Sequence, residues 1–249
     1  MGLRLLSYNI KFGGKGREQQ IASVINAANA DVVLLQEATD RLVVRRLAEL
    51  CEFASWDSRV NYSTGFLTRH PVASYNWNLP QRSRHAFLEV ELTTPKVRLF
   101  CLHLSAWFSN WSERQRRFEI EALLTGIKQH QDGFHIIAGD FNALAPGEVL
   151  RVDRMPQWIR AMVWLSGRDI ARHTIQHMLD QKYADSWNVL HPGEAGYTFP
   201  TWDPHVRLDY AFVPDRYRDT VKSCEVFTAP DEAKQASDHY PLLVEIDVP

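Results

Sequence analysis

Short apolar runs alternate along this chain with longer segments whose apolar residues recur at helical spacing. Runs of strand length that are rich in Val, Ile, Leu and Phe predict buried β-strands. We place these strands at residues 3–10, 31–37, 60–68, 85–92, 97–104, 134–138, 208–213, 224–227 and 242–246.

Helical spacing predicts helices over residues 17–30, 40–52 and 112–130. The third is expected to begin at Ser112, because Ser112 and Gln115 match a capping box. Strands and helices that alternate in this way predict an α/β fold. No repeat, low-complexity tract or linker interrupts the pattern, so we expect a single domain over residues 1–249.

Composition and charge are those of an ordinary globular protein. Hydrophobic residues make up 45% of the 249 residues, charged residues make up 23%, and the net charge is -2. The chain therefore has no global basic field, which weakens the case for avid, non-specific binding to nucleic acids.

The cysteines and the apolar runs bear on location. Cys51, Cys101 and Cys224 are scattered and lack metal-ligand spacing, so they are interpreted as buried free thiols in a reducing compartment. No charged-then-apolar leader precedes Leu3, and no apolar run reaches membrane-spanning length. We therefore expect a cytoplasmic monomer without a membrane partner.

Polar residues able to do chemistry stand where the predicted strands end. They are Asn9, Glu37, His103, Asp140 with Asn142, and Asp238 with His239, while Asp209 lies inside a further strand. Ligands of α/β proteins gather at strand ends, so these side chains can converge on one crevice. A single strand end of this kind is an ordinary turn, but six in one chain are hard to assign to turns.

Asp140 and Asn142 are separated by Phe141, so in an extended chain both side chains point to the same side. An anionic acceptor beside a neutral amide suits a site that holds a water molecule and an oxyanion. The alternative is a tight turn, because Gly, Asp and Asn are ordinary turn residues.

The types of side chain indicate a reaction class. Glu37, Asp140 and Asp238 are hard oxygen ligands suited to Mg²⁺ or Mn²⁺. His173 and His177 lack the glutamate of the zinc-protease motif and are interpreted as a helix face. Gly-x-Ser-x-Gly is missing, so the usual hydrolase nucleophile is missing too. Attack by an activated water on phosphorus fits this inventory.

Six short motifs, in the same order along the chain, resemble those of the endonuclease/exonuclease/phosphatase family. They are Ser7-Tyr8-Asn9, Leu35-Gln36-Glu37, Leu102-His103-Leu104, Gly139-Asp140-Phe141-Asn142, Arg207-Leu208-Asp209-Tyr210 and Ser237-Asp238-His239-Tyr240-Pro241. The resemblance implies a four-layer α/β sandwich, in which two mixed sheets pack face to face with helices outside. It also implies Mg²⁺-dependent hydrolysis of phosphoesters, with Mn²⁺ as the alternative ion.

The resemblance also implies a role for each matching residue. Glu37 would be the principal metal ligand, and Asn9 and Asp238 would complete or support the metal site.

Five further residues would carry the catalysis. Asp140 would orient or deprotonate the water, and Asn142 would donate to a phosphate oxygen. His239, held in one tautomer by Asp209, would act as a base or as a phosphate donor. His103 would stabilise the pentavalent phosphate or protonate the leaving group. Taken alone, His103 could equally be a core histidine, and Asp209 could be a buried carboxylate paired with Arg207.

Particular positions separate the chain from several branches of the family. Inositol phosphatases differ around Phe141 and Tyr210, tyrosyl-DNA phosphodiesterases have threonine where Phe141 stands, and abasic-site endonucleases place tyrosine where His103 stands. We therefore expect a phosphodiesterase or nuclease-type hydrolase that acts on a phosphoester, with nucleic acid among the candidate substrates. The alternatives are a phosphomonoesterase for a small metabolite and a non-catalytic phosphate-binding module.

Two segments are specific to this chain. The first follows His103 and interleaves aromatic residues with arginines: Trp107, Phe108, Trp111, Arg114, Arg116 and Arg117. It could stack bases and bind phosphates, or it could form a hydrophobic staple and a solvated helix face. The second is a helix-like excursion over residues 144–183 that carries Trp158, Arg160, Trp164, Arg168 and Arg172. It leaves the sheet next to Asp140 and Asn142, so we expect it to cap the active-site rim and to favour a small or single-stranded substrate.

Overall fold

The computed structural model describes residues 1–81, 83–167 and 169–249, so Arg168 lies outside the described residues. Its strands are β1 (Gly2–Asn9), β2 (Val32–Gln36), β3 (Ser55–Ser58), β4 (Thr64–Thr68), β5 (Val72–Asn78), β6 (Phe87–Thr93), β7 (Lys96–His103), β8 (His135–Asp140), β9 (Tyr183–Asp185), β10 (Asp209–Pro214), β11 (Val221–Val226) and β12 (Leu242–Asp247). Its α-helices are α1 (Glu18–Ala28), α2 (Arg41–Leu50), α3 (Asn110–Gly126), α4 (Gln157–Leu165), α5 (His173–Asp180), α6 (Ser186–Leu190) and α7 (Ala233–Ala236).

The strands form two six-stranded sheets. The first has the order β11-β12-β1-β2-β4-β3, and the second has the order β5-β6-β7-β8-β10-β9. One pair in each sheet is parallel, β1 with β2 and β7 with β8, and the other pairs are antiparallel. Both sheets are therefore mixed.

The core lies between the sheets and continues on their outer faces. Leu5 and Leu34 of the first sheet share one buried cluster with Leu99 and Ile136 of the second. Helices α1 and α2 cover the outer face of the first sheet, while α3 and α5 cover that of the second. This is the four-layer α/β sandwich that the resemblance implied, with β2 buried at every position as its apolar run predicts. None of the helices in the described ranges is both long and apolar enough to span a bilayer.

Three of the four edge strands in the described sheets were missed by the hydrophobic pattern. β3 lies at one edge of the first sheet, β5 and β9 lie at the two edges of the second, and β5 is exposed over most of its length. Because an edge strand has one neighbour and a solvated face, its sequence need not be apolar. The predicted strand at 60–68 is also shorter in the structure, since β4 begins only at Thr64.

Helix α3 begins before the predicted capping box. Ser109, in extended conformation with φ -145° and ψ 154°, is the N-cap, and its side chain accepts a hydrogen bond from the Ser112 backbone N–H. The capping box at Ser112 and Gln115 was therefore wrong, because Ser112 already lies in the first turn. The Gln115 side chain instead donates to Glu119 at 3.2 Å.

The segment 144–183 contains two helices with different surroundings. α4 buries Ile159 and Val163 in a small cluster with Leu208. α5 buries Ile175 and Met178 in the large cluster that covers the outer face of the second sheet. The first helix thus packs in a small separate cluster, whereas the second belongs to the large cluster of the second sheet.

Candidate active site

The polar residues at the strand ends lie together at one edge of the sandwich. The parallel pairing of β1 with β2 brings Asn9, the last residue of β1, beside the end of β2, where Glu37 directly follows Gln36. In the second sheet His103 is paired in register with Asp140, and Asp209 starts the antiparallel strand opposite Asp140. Sheet register, rather than loop conformation, therefore fixes the spacing of these residues.

Asn9 joins the two sheets at this edge. Its Nδ2 donates to Oε1 of Glu37 at 3.2 Å and to Oδ2 of Asp140 at 3.0 Å. Its Oδ1 accepts from the backbone N–H of Lys11, which fixes the orientation of the amide. The Asn9 carbonyl accepts from the Ser237 hydroxyl at 2.6 Å, a contact between residues 228 positions apart.

Asp140 is the centre of the site. The side chain is buried, and Oδ1 accepts from the Asn142 backbone N–H at 2.9 Å. Oδ2 lies 3.8 Å from Nε2 of His103 and 3.9 Å from Nε2 of His239. One carboxylate oxygen thus faces two imidazoles and one amide donor.

His239 and Asp209 form a buried pair. His239 Nδ1 lies 2.9 Å from Oδ2 of Asp209, and because a carboxylate accepts, Nδ1 carries the shared proton. The ring also lies against Phe199, with ring centroids 4.8 Å apart. The Asp209 side chain is fully buried, and its Oδ1 has no hydrogen-bond partner. The pair leaves Nε2 of His239 facing Asp140.

Two residues beside His103 were missed in the sequence. The Ser63 hydroxyl lies 2.7 Å from Nδ1 of His103, and the His85 ring lies 4.9 Å from the His103 ring. Ser63 stands just before β4 in a turn without a motif, so only the three-dimensional contact identifies it. With Nδ1 engaged, His103 also presents Nε2 to the site.

Gly139 explains how β7 and β8 approach each other so closely. Its φ is 151°, and a Cβ built on it would lie 2.0 Å from the Leu102 carbonyl oxygen. Any side chain there would push apart the strands that carry His103 and Asp140. Asn142, two residues after Asp140, has a φ of 49°. Its side-chain amide donates to the Leu104 carbonyl at 3.1 Å.

Glu37 and Asp238 lie at the accessible rim of the site. Both are partly exposed, unlike the buried Asp140 and Asp209. Glu37 Oε2 accepts from the Phe12 backbone N–H, and Asp238 Oδ2 lies 3.1 Å from Nζ of Lys11. The sequence identified both carboxylates but not the lysine that faces one of them.

Two sets of side chains could hold a metal ion. Asp140, Asp209 and His239 offer ligand atoms that all lie within 4.8 Å of one another. However, Asp209 and His239 already satisfy each other through a buried hydrogen bond, which a metal would have to break. The second set has carboxylate oxygens of Glu37 and Asp140, which the Nδ2 group of Asn9 holds together, while the Asn9 Oδ1 accepts from the Lys11 backbone N–H. Oxygen ligands of this kind fit Mg²⁺ or Mn²⁺ better than zinc.

Burial and neighbouring charges shift the pKa values of the three central groups in different directions. Burial raises the pKa of Asp140 to about 7, although the positive charge of His239 opposes it. Burial, together with His85 and His239, lowers the pKa of His103 to about 3. Burial also lowers the pKa of His239, but the charges of Asp209 and Asp140 outweigh it and raise that pKa to about 10. Groups whose pKa values are pushed apart in this way are typical of acid–base sites.

Comparison with known proteins gives the same picture. The model of a family described as Endonuclease/Exonuclease/phosphatase family matches residues 6–239. No curated protein matches the chain in sequence.

Three similar solved structures illustrate the shared fold. An AP endonuclease from Archaeoglobus fulgidus has a TM-score of 0.76 and 14% identity, with 99% of this chain and 100% of that chain covered. The 3′ phosphatase NExo from Neisseria, bound to a product DNA hairpin, has a TM-score of 0.74 and 17% identity, covering 98% and 99%. TDP2 from D. rerio, complexed with single strand DNA product, has a TM-score of 0.68 and 19% identity, covering 99% of each chain.

Proposed function

Because this chain belongs to the endonuclease/exonuclease/phosphatase family, and is therefore a phosphoester hydrolase, we propose that it is a Mg²⁺- or Mn²⁺-dependent phosphodiesterase of the nuclease type. The observation that carries the proposal is the environment of Asp140. Its Oδ2 accepts from Asn9 and faces Nε2 of both His103 and His239 within 3.9 Å. A water and a phosphate group placed there would meet a carboxylate and two imidazoles at once.

Asp140 is the group that we assign to the water. Its two oxygens are held by Asn9 and by the Asn142 backbone, so the carboxylate cannot rotate away from the site. A base held in this way can orient a water for in-line attack and accept its proton. Burial raises the pKa of Asp140 above its usual range, which makes its carboxylate a stronger base toward the water.

The histidines and Asn142 are assigned to the phosphate. Because Asp209 occupies Nδ1 of His239, only Nε2 remains to meet a phosphate oxygen or the attacking water. His103, whose Nδ1 faces Ser63, similarly offers Nε2 to the pentavalent phosphate or the leaving group. The Asn142 side chain uses one N–H on the Leu104 carbonyl and retains a second for a phosphate oxygen.

We assign the metal to the partly exposed rim formed by Glu37 and Asp238, next to the buried Asp140. Glu37 would be its principal ligand, with Asn9 and Asp238 completing or supporting the site. When bound, a divalent ion polarises the phosphate and neutralises the charge that develops on its oxygens. Nζ of Lys11 lies 3.1 Å from Oδ2 of Asp238. A metal ion bound by Asp238 would have to displace this ammonium group.

Metal dependence is the first prediction. Chelation with EDTA should abolish hydrolysis of bis-p-nitrophenyl phosphate, and Mg²⁺ or Mn²⁺ should restore it. Glu37→Gln should raise the Mg²⁺ concentration needed for half-maximal rate by at least roughly 10- to 100-fold, since losing even an outer-shell partner of a metal ligand costs that much. A metal titration of the rate measures this shift.

The matched control is Glu225→Gln, which removes an exposed carboxylate on β11 and should leave the metal titration unchanged. Full activity in EDTA would contradict the proposal. Faster turnover of p-nitrophenyl phosphate than of the diester would instead favour a phosphomonoesterase, and no turnover of either would favour a phosphate-binding module.

We also propose that the enzyme acts as a cytoplasmic monomer. Each of the described site residues comes from the same chain, so no second copy is needed to complete the constellation. Cys51, Cys101 and Cys224 are buried free thiols, which suits a reducing compartment.

A further inference from the structure

Trp107, in the loop that follows β7, has an unusual backbone conformation. Its φ is 88°, a left-handed value that is uncommon for a bulky residue, and its side chain is 54% exposed. Its ring meets that of Trp158 on α4 edge-to-face, with centroids 5.6 Å apart and an interplanar angle of 71°. A strained backbone that presents a large aromatic ring to solvent requires support from its surroundings.

A buried arginine supplies that support. Arg116 is 1% exposed, and its Nη1 donates to the Ser105 carbonyl at 3.0 Å and to the Trp107 carbonyl at 2.9 Å. Its Nε and Nη2 both donate to Oε2 of Glu113, at 3.1 Å and 3.0 Å. Each guanidinium nitrogen thus has a partner: Nη1 holds the loop after His103, and Nε and Nη2 pair the buried charge with Glu113.

The same network holds the loop and the segment 144–183 in fixed positions. Glu119 accepts from the backbone N–H and the hydroxyl of Ser105 at 3.0 Å and 2.8 Å. The other oxygen of Glu113 accepts from the Thr174 backbone N–H at 2.7 Å, at the first turn of α5. Arg116 is therefore a buried structural residue and does not belong to a solvated helix face, unlike the alternative considered from the sequence.

Helix α4 places the second ring beside the active site. Its buried residues pack with Leu208, which directly precedes Asp209, while Trp158 and Arg160 on the same helix are exposed. From His103 to Trp107 the chain can extend by at most about 14 Å. An exposed aromatic pair thus stands within a few nucleotides of the position proposed for the scissile phosphate.

We propose that Trp107 and Trp158 form a stacking platform for an unpaired base of a single-stranded nucleic acid. The inference rests on the proposed phosphodiesterase function and names its substrate class. Indole rings stack on any base, so the platform would bind the strand without sequence preference. Arg116 fixes the Trp107 backbone in the free enzyme. Binding of a base therefore costs little conformational entropy at this residue.

The test compares two substrates in the full-length, Mg²⁺-loaded enzyme. One is a short single-stranded oligodeoxynucleotide, and the other is bis-p-nitrophenyl phosphate, which carries no base. Trp107→Ala and Trp158→Ala should each lower the ratio of kcat/KM for the oligonucleotide to that for the small diester by about 5- to 100-fold, mainly through KM. Trp107→Phe, which keeps an aromatic face, should recover most of the loss.

Trp111→Ala is the matched control, because it removes a neighbouring indole that is 74% exposed. Its ratio should equal that of the wild type. An unchanged ratio in Trp158→Ala, whose ring sits on the surface of a helix, would overturn the inference even if Trp107→Ala misfolds. The inference would also be overturned if the two alanine variants kept the wild-type oligonucleotide ratio but lost binding to anionic phospholipid vesicles. That result would assign the rings to a lipid surface.

Failure of the underlying function gives a different result. A wild-type enzyme that leaves bis-p-nitrophenyl phosphate intact with Mg²⁺ contradicts the proposed phosphodiesterase itself. A wild-type enzyme that hydrolyses this diester but leaves the oligonucleotide intact contradicts the platform alone.

Discussion

At the scale of single residues, the buried contact with Asp209 is the feature that fixes the His239 ring. Asp209 is fully buried and its second oxygen has no partner, so its main contact is the imidazole 2.9 Å away. The ring is therefore held in one tautomer and orientation, with Nε2 toward Asp140. An amide at Asp209 would retain the shape but could not stabilise a charged imidazole.

The second prediction concerns this pair. His239→Ala should lower kcat by roughly 100- to 10,000-fold, the usual contribution of a general acid or base. Asp209→Asn should also be slow, because the amide favours the wrong tautomer. The double variant should be only slightly slower than the slower single variant, since the two residues act as a unit.

Steady-state rates on bis-p-nitrophenyl phosphate at saturating Mg²⁺ measure all three variants. The Mg²⁺ requirement should change much less than in Glu37→Gln, because neither residue is an assigned metal ligand. Multiplicative losses in the double variant, or a wild-type rate in Asp209→Asn, would show that the pair does not act together.

Residue motifs predicted the polar groups of the site, but not all of their neighbours. Asp140 and His239 stand in short motifs at strand ends, where their chemistry is recognisable. Ser63 and Lys11 have no such signal, since one stands in a turn and the other in a glycine-rich loop. Their roles come from contacts between distant segments, Ser63 with His103 and Lys11 with Asp238.

At the scale of elements, α4 and α5 differ although they are neighbours in one excursion. Ile175 on α5 is fully buried in the cluster that covers the outer face of the second sheet. Trp164 on α4 is 60% exposed. The two helices should therefore differ in how much they stabilise the fold.

The third prediction measures that difference. Ile175→Ala should lower the free energy of unfolding by about 2–5 kcal/mol, because it removes buried methyl groups and leaves a cavity. Trp164→Ala, the matched control on the exposed helix, should change it by no more than about 0.5 kcal/mol. Urea denaturation followed by circular dichroism gives both values. Equal losses would show that Trp164 contributes as much to stability as the buried Ile175.

Hydrophobic pattern predicted the central elements better than the outer ones. β1, β2, β7 and β8 are apolar because each is covered on both faces, and all four lie close to their predicted positions. β3 and β5 were missed because edge strands can be polar. The start of α3 was misplaced because Ser109 and Ser112 both suit an N-cap, and only the backbone conformation distinguishes them.

At the scale of the whole molecule, buried histidines make stability depend on pH. His135, at the end of β8 away from the active site, is fully buried, and its Nε2 lies 2.9 Å from the Tyr183 hydroxyl. Burial lowers the pKa of His135 below its usual value of 6.5. The unfolded chain therefore binds a proton there more readily than the folded protein does.

The fourth prediction follows from that sign. As the pH falls below 6.5, the wild type should lose free energy of unfolding, because protonation favours the unfolded chain. The free energy of unfolding of His135→Gln should fall less over the same pH range, whatever its value at neutral pH. His173→Gln, which removes an exposed histidine on α5, should keep the wild-type slope. Urea denaturation across this pH range measures the slopes, and equal slopes in all three proteins would contradict the prediction.

The contact between Ser237 and Asn9 has a consequence for the time at which activity can begin. It joins residues 228 positions apart, and His239 lies just beyond it. During synthesis the ribosome therefore releases Asn9, Glu37, His103 and Asp140 long before the histidine that completes the proposed site. An unfinished chain lacks that imidazole, so we expect an enzyme of this design to hydrolyse phosphoesters only slowly until β12 can pair with β1.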